Sequence, residues 1–189
     1  MTDATSATTI EIPGYKAGTW VLDPSHSEVT FSVRHMMISK VRGTFDVKSA
    51  TIIAPENPLE VSVVASADVA SVNTNDEGRD AHLRSADFFD AENHPTLDFV
   101  STGVRVENGD FLVDGDLTIR GITRPVTFDL DFGGFGVDPW GNYKAGATAK
   151  TVINREDFGL VWNAALETGG VLVGKDVTIT LDLQGSLQA

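Results

Sequence analysis

Apolar and polar residues alternate with a period of two over most of the chain beyond residue 18. In the clearest run, Val29, Phe31 and Val33 are separated by polar residues. Side chains of a β-strand point to opposite faces in turn, so this alternation predicts strands with one buried and one solvated face. Similar runs occupy residues 111–120, 126–132 and 177–184, and weaker ones occupy residues 41–53, 59–70, 96–106 and 143–153. The pattern predicts an all-β protein.

The alternation changes phase inside one of these strands. Leu97 and Phe99 fall on one face, whereas Val104 and Val106 fall on the other. One extra residue in a strand produces such a change, so the pattern predicts a β-bulge near residues 101–103.

Two segments have helical rather than alternating patterns. The spacing of apolar and charged residues predicts a short amphipathic α-helix near residues 75–90, with Asn73 or Asn75 as its N-cap. A second helical turn is predicted near residues 155–159, where Gly159 ends it.

The number and length of the strands favour a closed barrel. Closure removes sheet edges that would otherwise pair with other chains, although a β-sandwich fits the same pattern. Strands of about 10–12 residues give a barrel about 25–30 Å tall, which its own side chains can fill or which can hold one ligand. We predict a polar N-terminal tail over residues 1–17 and a single eight-stranded antiparallel barrel domain over residues 18–189.

Composition excludes several classes of partner. The 189 residues carry a formal net charge of −13, which argues against a nucleic-acid binder and against attraction to an anionic membrane. The chain has no cysteine, so it has no disulfide or thiolate metal site. No apolar run is long enough to insert stably in a membrane, and the first nine residues lack signal-peptide features, so a cytoplasmic location is expected.

An up-and-down arrangement of the strands sorts the connecting segments to two ends of the barrel. We call these ends the mouth and the far end. The mouth receives residues 35–42, 73–95, 120–124 and 155–175, and the far end receives residues 23–28, 55–60, 107–110 and 131–142. Strand parity predicts that His35, Arg124 and Lys175 point inward at the mouth, above an apolar interior. Such an arrangement suits a ligand with a polar or anionic group and an apolar body.

The residues show little sign of catalytic chemistry. The residue types of a hydrolase triad occur together in Asp23, Ser25, His26 and Ser27. Their sequence is more typical of a turn, however, and no nucleophile elbow is present. The four histidines lack the spacing of a metal site. We therefore predict no catalytic residue, no metal, and no enzyme.

Several ordered sequence blocks resemble the YceI-like family, over about residues 17–187. The blocks are His26-Ser27-Glu28-Val29-Thr30-Phe31-Ser32-Val33-Arg34-His35, Val41-Arg42-Gly43-Thr44-Phe45, Asn73-Thr74-Asn75 with Arg79-Asp80-Ala81-His82-Leu83, Asp87-Phe88-Phe89-Asp90 before His94-Pro95, Gly115-Asp116-Leu117-Thr118-Ile119-Arg120-Gly121-Ile122-Thr123, Ile153-Asn154-Arg155-Glu156-Asp157-Phe158-Gly159 and Val173-Gly174-Lys175-Asp176-Val177.

The resemblance implies an extended lipocalin-like barrel whose cavity accommodates long apolar chains. Members are associated with polyisoprenoids, including prenyl pyrophosphates and quinones, and homodimers are common among them. Many members are exported. The family has no uniform reaction, so no catalytic residue is implied; His35, Arg79 and Asp80 match its motifs.

These observations lead to one hypothesis: the protein carries or sequesters a long-chain isoprenoid-type lipid and needs no other cofactor. The predicted tail-binding residues are Phe31, Val33, Phe45, Phe99, Leu117, Phe128 and Ile179, and the predicted head-group residues are His35, Arg79, Asp80, His82, Arg124 and Lys175. Two alternatives remain open. One is a structural or protein-interaction barrel with a filled interior, and the other is an enzyme that modifies a lipid head group with His35 or His82.

Overall fold

The structure, a computed structural model, describes residues 10–189 and is built almost entirely from β-strands. The first half of the predicted tail, residues 1–9, lies outside the described residues, and residues 10–12 do not form a strand. The strands are β1 (Gly18–Leu22), β2 (Glu28–His35), β3 (Ser39–Phe45), β4 (Val47–Ala54), β5 (Ser62–Asp68), β6 (Thr96–Glu107), β7 (Asp110–Ile119), β8 (Ile122–Val137), β9 (Tyr143–Asn154) and β10 (Val173–Leu187). One α-helix, α1 (Glu77–Arg84), lies between β5 and β6.

The strands close into an eight-stranded antiparallel barrel, as the sequence predicts. β1 and β2 lie end to end and act as one long strand. This strand pairs with β10 on one side and with β3 and β4 on the other, and β3 and β4 are likewise one long strand interrupted at Asp46. From β4 onward each strand pairs with the next to β10, which pairs with β9 on one side and with β1 and β2 on the other. The barrel therefore has no exposed sheet edge along most of its circumference.

One predicted turn is wrong. We expected residues 23–28 to connect two strands at the far end. Instead, a short 3₁₀ helix, Pro24–His26, interrupts a single long strand, because β1 and β2 run in the same direction and both pair with β10. Two predicted irregularities are confirmed: a register shift between β6 and β7 at Ser101 and Gly103, and a 3₁₀ turn at Arg155–Phe158 that ends at Gly159 with a φ of 74°.

The predicted helix forms, with a different N-cap. α1 is capped by the Asp76 carboxylate, which accepts a hydrogen bond from the Arg79 backbone amide at 2.8 Å. The predicted caps lie just upstream, where Asn73 instead bridges to Thr44 of β3 and Asn75 has a φ of 61°. Residues 69–95 thus fold over the barrel wall beside β3 at the mouth.

The two buried apolar clusters join this covering segment to the barrel. Phe88 packs with residues of β7, β9 and the 155–160 segment, and Val72 packs with Phe45 and Ala67. Both clusters draw on partly buried residues of the inner strand faces, among them Leu97. The connecting segments at the mouth are therefore fixed to the barrel by apolar packing.

Candidate ligand-binding cavity

The barrel interior contains two adjoining cavities. The first, of about 330 Å³, extends from the middle of the barrel to the far end, and the second, of about 510 Å³, lies at the mouth. Val29, Leu97, Ile119 and Ile179 line both, so the two meet midway along the barrel. Both volumes fall in the range typical of small-molecule sites. An interior filled by its own side chains, one of the alternatives left open by the sequence, is not what the structure contains.

Small inward-facing residues create the space of the first cavity. Alternate positions of three strands present alanine to the interior, where a larger side chain would fill the space. These alanines are Ala50 and Ala54 of β4, Ala65 and Ala67 of β5, and Ala145, Ala147 and Ala149 of β9. Large apolar side chains such as Phe99 of β6 and Phe128 of β8, on strands next to the alanine-bearing β5 and β9, form another part of the wall and pack edge to face with their centroids 5.4 Å apart.

Residues 10–17, the second half of the predicted tail, cover the far end. Ile12 and Tyr15 line the first cavity. The Tyr15 hydroxyl donates to the Pro55 carbonyl at 2.7 Å, and the Tyr143 hydroxyl donates to the Gly14 carbonyl at 2.7 Å. Burial, and then the charge of Glu56, raise the pKa of Tyr15. The only sequence signal for this cover was the apolar character of Ile10, Ile12 and Tyr15.

All seven predicted tail-binding residues lie on the cavity walls. The first cavity is lined by Phe99, Leu117 and Phe128, the second by Phe31, Val33 and Phe45, and both by Ile179. The alternation therefore predicted correctly that these side chains face the interior. Their role in binding a ligand stays a prediction.

Three of the six predicted head-group residues line the second cavity: His35, Arg79 and His82. Arg79 is held by Thr74, whose hydroxyl and carbonyl accept hydrogen bonds from Nε at 2.7 Å and Nη2 at 2.8 Å. Nη1 of Arg79 forms no hydrogen bond with residues 10–189 and is available to a ligand. The His82 ring packs edge-on against Trp162 with centroids 4.7 Å apart, and its Nε2 lies 2.9 Å from the Asp87 carboxylate.

Asp80 lies beside this group rather than on the cavity wall. It is buried and accepts hydrogen bonds from the Thr74 amide at 2.8 Å and the Thr74 hydroxyl at 2.6 Å. Because Thr74 in turn holds Arg79, the contacts of Asp80 fix the position of that guanidinium.

The structure places neither Arg124 nor Lys175 on the wall of either cavity. A register irregularity between Val173 and Val177 in β10 turns Lys175 outward, where its ammonium lies 3.0 Å from Glu156. Arg124 shares a face with Leu117, its partner in the β7–β8 register, but it is exposed at the mouth, beyond the lining of both cavities.

Sequence reasoning missed Arg155, a buried cation on the wall of the second cavity. It is only 3% exposed. Its guanidinium donates to the backbone carbonyls of Gly174 at 2.7 Å, Trp162 at 3.0 Å and Val173 at 3.4 Å, and also to that of Leu160. Burial lowers the pKa of Arg155 from its ordinary value, while Glu156 partly opposes this. Its position as the first residue of a charged 3₁₀ turn gave no sign that it faces inward.

The triad-like residues do come together, but in a geometry unlike that of a hydrolase. Both the Asp23 carboxylate, at 2.8 Å, and the Ser25 hydroxyl, at 3.0 Å, contact the same His26 nitrogen, Nδ1, and the hydroxyl also donates to Asp23 at 2.6 Å. A catalytic triad needs the two groups on opposite ring nitrogens. These residues instead cap the strand interruption on the outer surface.

Residues 10–189 lack both a group of metal-ligating side chains and a helix that could span a membrane. Within that range, no group of three His, Asp or Glu side chains is arranged to hold a metal ion. The one α-helix there is too short and too polar to cross a membrane.

A closed antiparallel barrel with an elongated apolar interior and polar groups at one end is a lipocalin-like fold. The chain belongs to the YceI-like family: the family model described as a YceI-like domain matches residues 20–185. A UPF0312 protein of Staphylococcus aureus is 38% identical over 170 residues, which are 89% of this chain and 97% of that protein.

Solved structures agree with this assignment. Burkholderia cenocepacia BcnA is 25% identical with a TM-score of 0.74, over 86% of this chain and 98% of that one. A Campylobacter jejuni YceI protein is 26% identical with a TM-score of 0.66, over 82% and 90%. A domain from Saccharophagus degradans described as polyisoprenoid-binding shares the fold, with a TM-score of 0.67 at 16% identity over 89% and 98%.

Proposed function

We propose that this protein binds one long-chain amphiphilic lipid of the isoprenoid type inside the barrel and carries or sequesters it. Membership of the YceI-like family, together with the described specificity of the Saccharophagus degradans domain, supports lipid binding in general. The observation that carries the proposal for this chain is the pair of adjoining cavities, whose walls are apolar from residues 10–17 to the mouth.

The hydrocarbon tail occupies the first cavity and the inner part of the second. The alanines of β4, β5 and β9 leave room for it, and the aromatic side chains of the neighbouring strands β6 and β8 supply contact surface. Burying about 500 Å² of apolar surface contributes roughly 12 kcal/mol to the free energy of binding, before the costs of association and ordering are subtracted. Association and ordering cost about 4–15 kcal/mol, and the preformed cavity keeps this cost toward the lower end.

The polar head lies at the mouth, among His35, Arg79 and Arg155. Arg79 is held in place with one terminal nitrogen available, and Arg155 brings a positive charge that bonds only to neutral carbonyls through the four contacts described above. Two fixed cations beside a low-dielectric interior favour an oxygen-rich or anionic head group, such as a quinone or a pyrophosphate. Carriage in the cytoplasm and homodimer formation remain predictions.

Native mass spectrometry of gently purified protein tests the proposal. We expect a co-purified or added lipid of several hundred daltons to remain bound. Ala147→Trp puts a large side chain into the first cavity and should abolish binding, whereas Thr148→Trp, one residue along on the outer face, should leave binding unchanged.

The same experiment separates the alternatives. Protein that binds neither prenyl phosphates nor isoprenoid quinones, or an Ala147→Trp variant that binds as well as wild type, would overturn the proposal. Conversion of the lipid that is lost in His35→Ala while binding survives would identify an enzyme instead.

A further inference from the structure

The turn between β2 and β3 is an exposed apolar projection at the mouth. We call residues 36–38, Met36-Met37-Ile38, the hairpin tip. Met37 is 59% exposed and Ile38 is 79% exposed, and Met36 is also exposed. Apolar side chains of this size are normally buried or solitary on a protein surface, so three in succession point to a contact made with something else.

The backbone of the hairpin tip is strained, and its sequence does not relieve the strain. Met36 has a φ of 51° and Met37 a φ of 62°, in a turn where the Ile38 amide donates to the His35 carbonyl at 3.2 Å. Two successive residues with positive φ favour Asn, Asp or Gly. Methionine at both positions indicates that the apolar side chains are retained for a purpose other than turn stability.

The outer face of the same hairpin is positively charged. Arg34 lies directly opposite Lys40 in the strand register, and Arg42 lies two positions further along on the same face. Residues 29–45 include no Asp or Glu, although the chain as a whole carries a net charge of −13. Like charges directly opposite each other destabilise a strand pair unless an anion covers them.

Across the part of the chain that the structure describes, no neighbouring element forms an ion pair with these cations. The three cations are exposed and take part in none of the ion pairs formed within residues 10–189. On the adjacent strand β10, Lys175 and Asp176 together contribute no net charge.

The hairpin tip stands at the entrance to the second cavity. His35, which precedes it, lines that cavity, and the Met36 amide donates to the Leu172 carbonyl at 2.8 Å. Val171, next to Leu172, is also exposed. Whatever covers the tip therefore also covers the route into the barrel.

We infer that the hairpin tip docks on the surface of an anionic phospholipid bilayer. Met37 and Ile38 enter the interfacial region, while Arg34, Lys40 and Arg42 contact the head groups. Apolar and basic signals together are what reversible membrane binding requires. Methionine is flexible and adapts its packing to irregular surroundings such as lipid. This docking does not depend on the cargo, so its failure would leave the proposed function standing.

Because the chain has no cysteine, a single environment-sensitive dye can report on the tip. Ile38→Cys carries the dye at the tip, and Val137→Cys carries it at the far end, where Val137 is 67% exposed. With vesicles of phosphatidylcholine and phosphatidylglycerol, we expect a blue shift from position 38 only, which pure phosphatidylcholine does not give. High salt should weaken the binding, since it screens exposed charges.

Charge variants test the basic face. Lys40→Gln with Arg42→Gln should weaken co-sedimentation with the anionic vesicles roughly 30-fold, from about 1 kcal/mol per basic residue at such a surface. Lys48→Gln with Lys150→Gln removes two exposed cations outside the hairpin and should have little effect. Met37→Ser with Ile38→Ser should remove the binding that remains at high salt.

Three outcomes would overturn the inference. The first is a folded wild-type protein that does not bind the anionic vesicles. The second is an equal shift from positions 38 and 137. The third is a concentration-dependent dimer that Ile38→Ser disrupts without any vesicle binding, which would identify a second copy of the chain as the occupant.

Discussion

Two glycines on the inner face determine where the large aromatic side chains lie. A Cβ at Gly115 would overlap the Phe99 ring, and one at Gly43 would overlap the Phe31 ring and approach Thr74 Cγ2 to 2.8 Å. The rings therefore lie flat across bare backbone and leave the centre of the barrel open. In this barrel, glycine and alanine create the cavity and phenylalanine shapes it.

This arrangement predicts a stability difference between two glycines. Gly115→Ala should lower the free energy of unfolding by about 1–3 kcal/mol, because Phe99 must move off the strand into a less favourable position. Gly103→Ala, where a Cβ has no atom within 4 Å, should change it by no more than about 1 kcal/mol. Urea unfolding measures both; equal losses would mean that Phe99 does not depend on Gly115.

At the scale of elements, the interruption between β1 and β2 depends on one carboxylate. Asp23 accepts hydrogen bonds from the Ser25 amide at 3.0 Å and the Ser25 hydroxyl at 2.6 Å, and it contacts His26 at 2.8 Å. The Ser25 hydroxyl, followed by His26, holds the pKa of Asp23 well below its usual range. The ionised form is therefore favoured in the folded state.

A pH series on Asp23→Asn tests this contact. A carboxyl whose pKa is lowered by folding stabilises the fold above its unfolded pKa of about 3.9, and that contribution is lost as the pH falls through the lower folded pKa. We expect wild type to exceed Asp23→Asn in free energy of unfolding at pH 7, and the difference to shrink below about pH 4. A difference that grows on acidification would contradict the assignment. Urea midpoints at several pH values give the comparison.

At the scale of the whole molecule, the cavities couple ligand binding to the stability of the barrel. A ligand that binds only the folded state at a hundred times its Kd adds about 2.7 kcal/mol to the free energy of unfolding. For a chain of this length that raises the Tm by roughly 5–10 °C.

Thermal unfolding with an isoprenoid quinone should show this increase in wild type and not in Ala147→Trp. A shorter isoprenoid alcohol should raise the Tm less, because it buries less apolar surface. A quinone that raises the Tm of both proteins equally would show that the stabilising site lies outside the first cavity.

The sequence by itself determined the strand faces, the bulge near residue 101, the helix and the inward position of all seven tail-lining residues. These follow from local backbone geometry, since alternation with a period of two fixes which side chains share a face. The family also follows from the sequence, because several motifs in the same order identify it although no single motif is specific.

Only the tertiary structure decided how the ends of the barrel are built. Parity failed for Lys175, because a register irregularity in β10 overrides local alternation there. Arg155 and Tyr15 face the cavities only because segments distant in sequence fold against them. The cavity itself depends on alanines from three strands that face the same space, which the pattern of any single strand does not reveal.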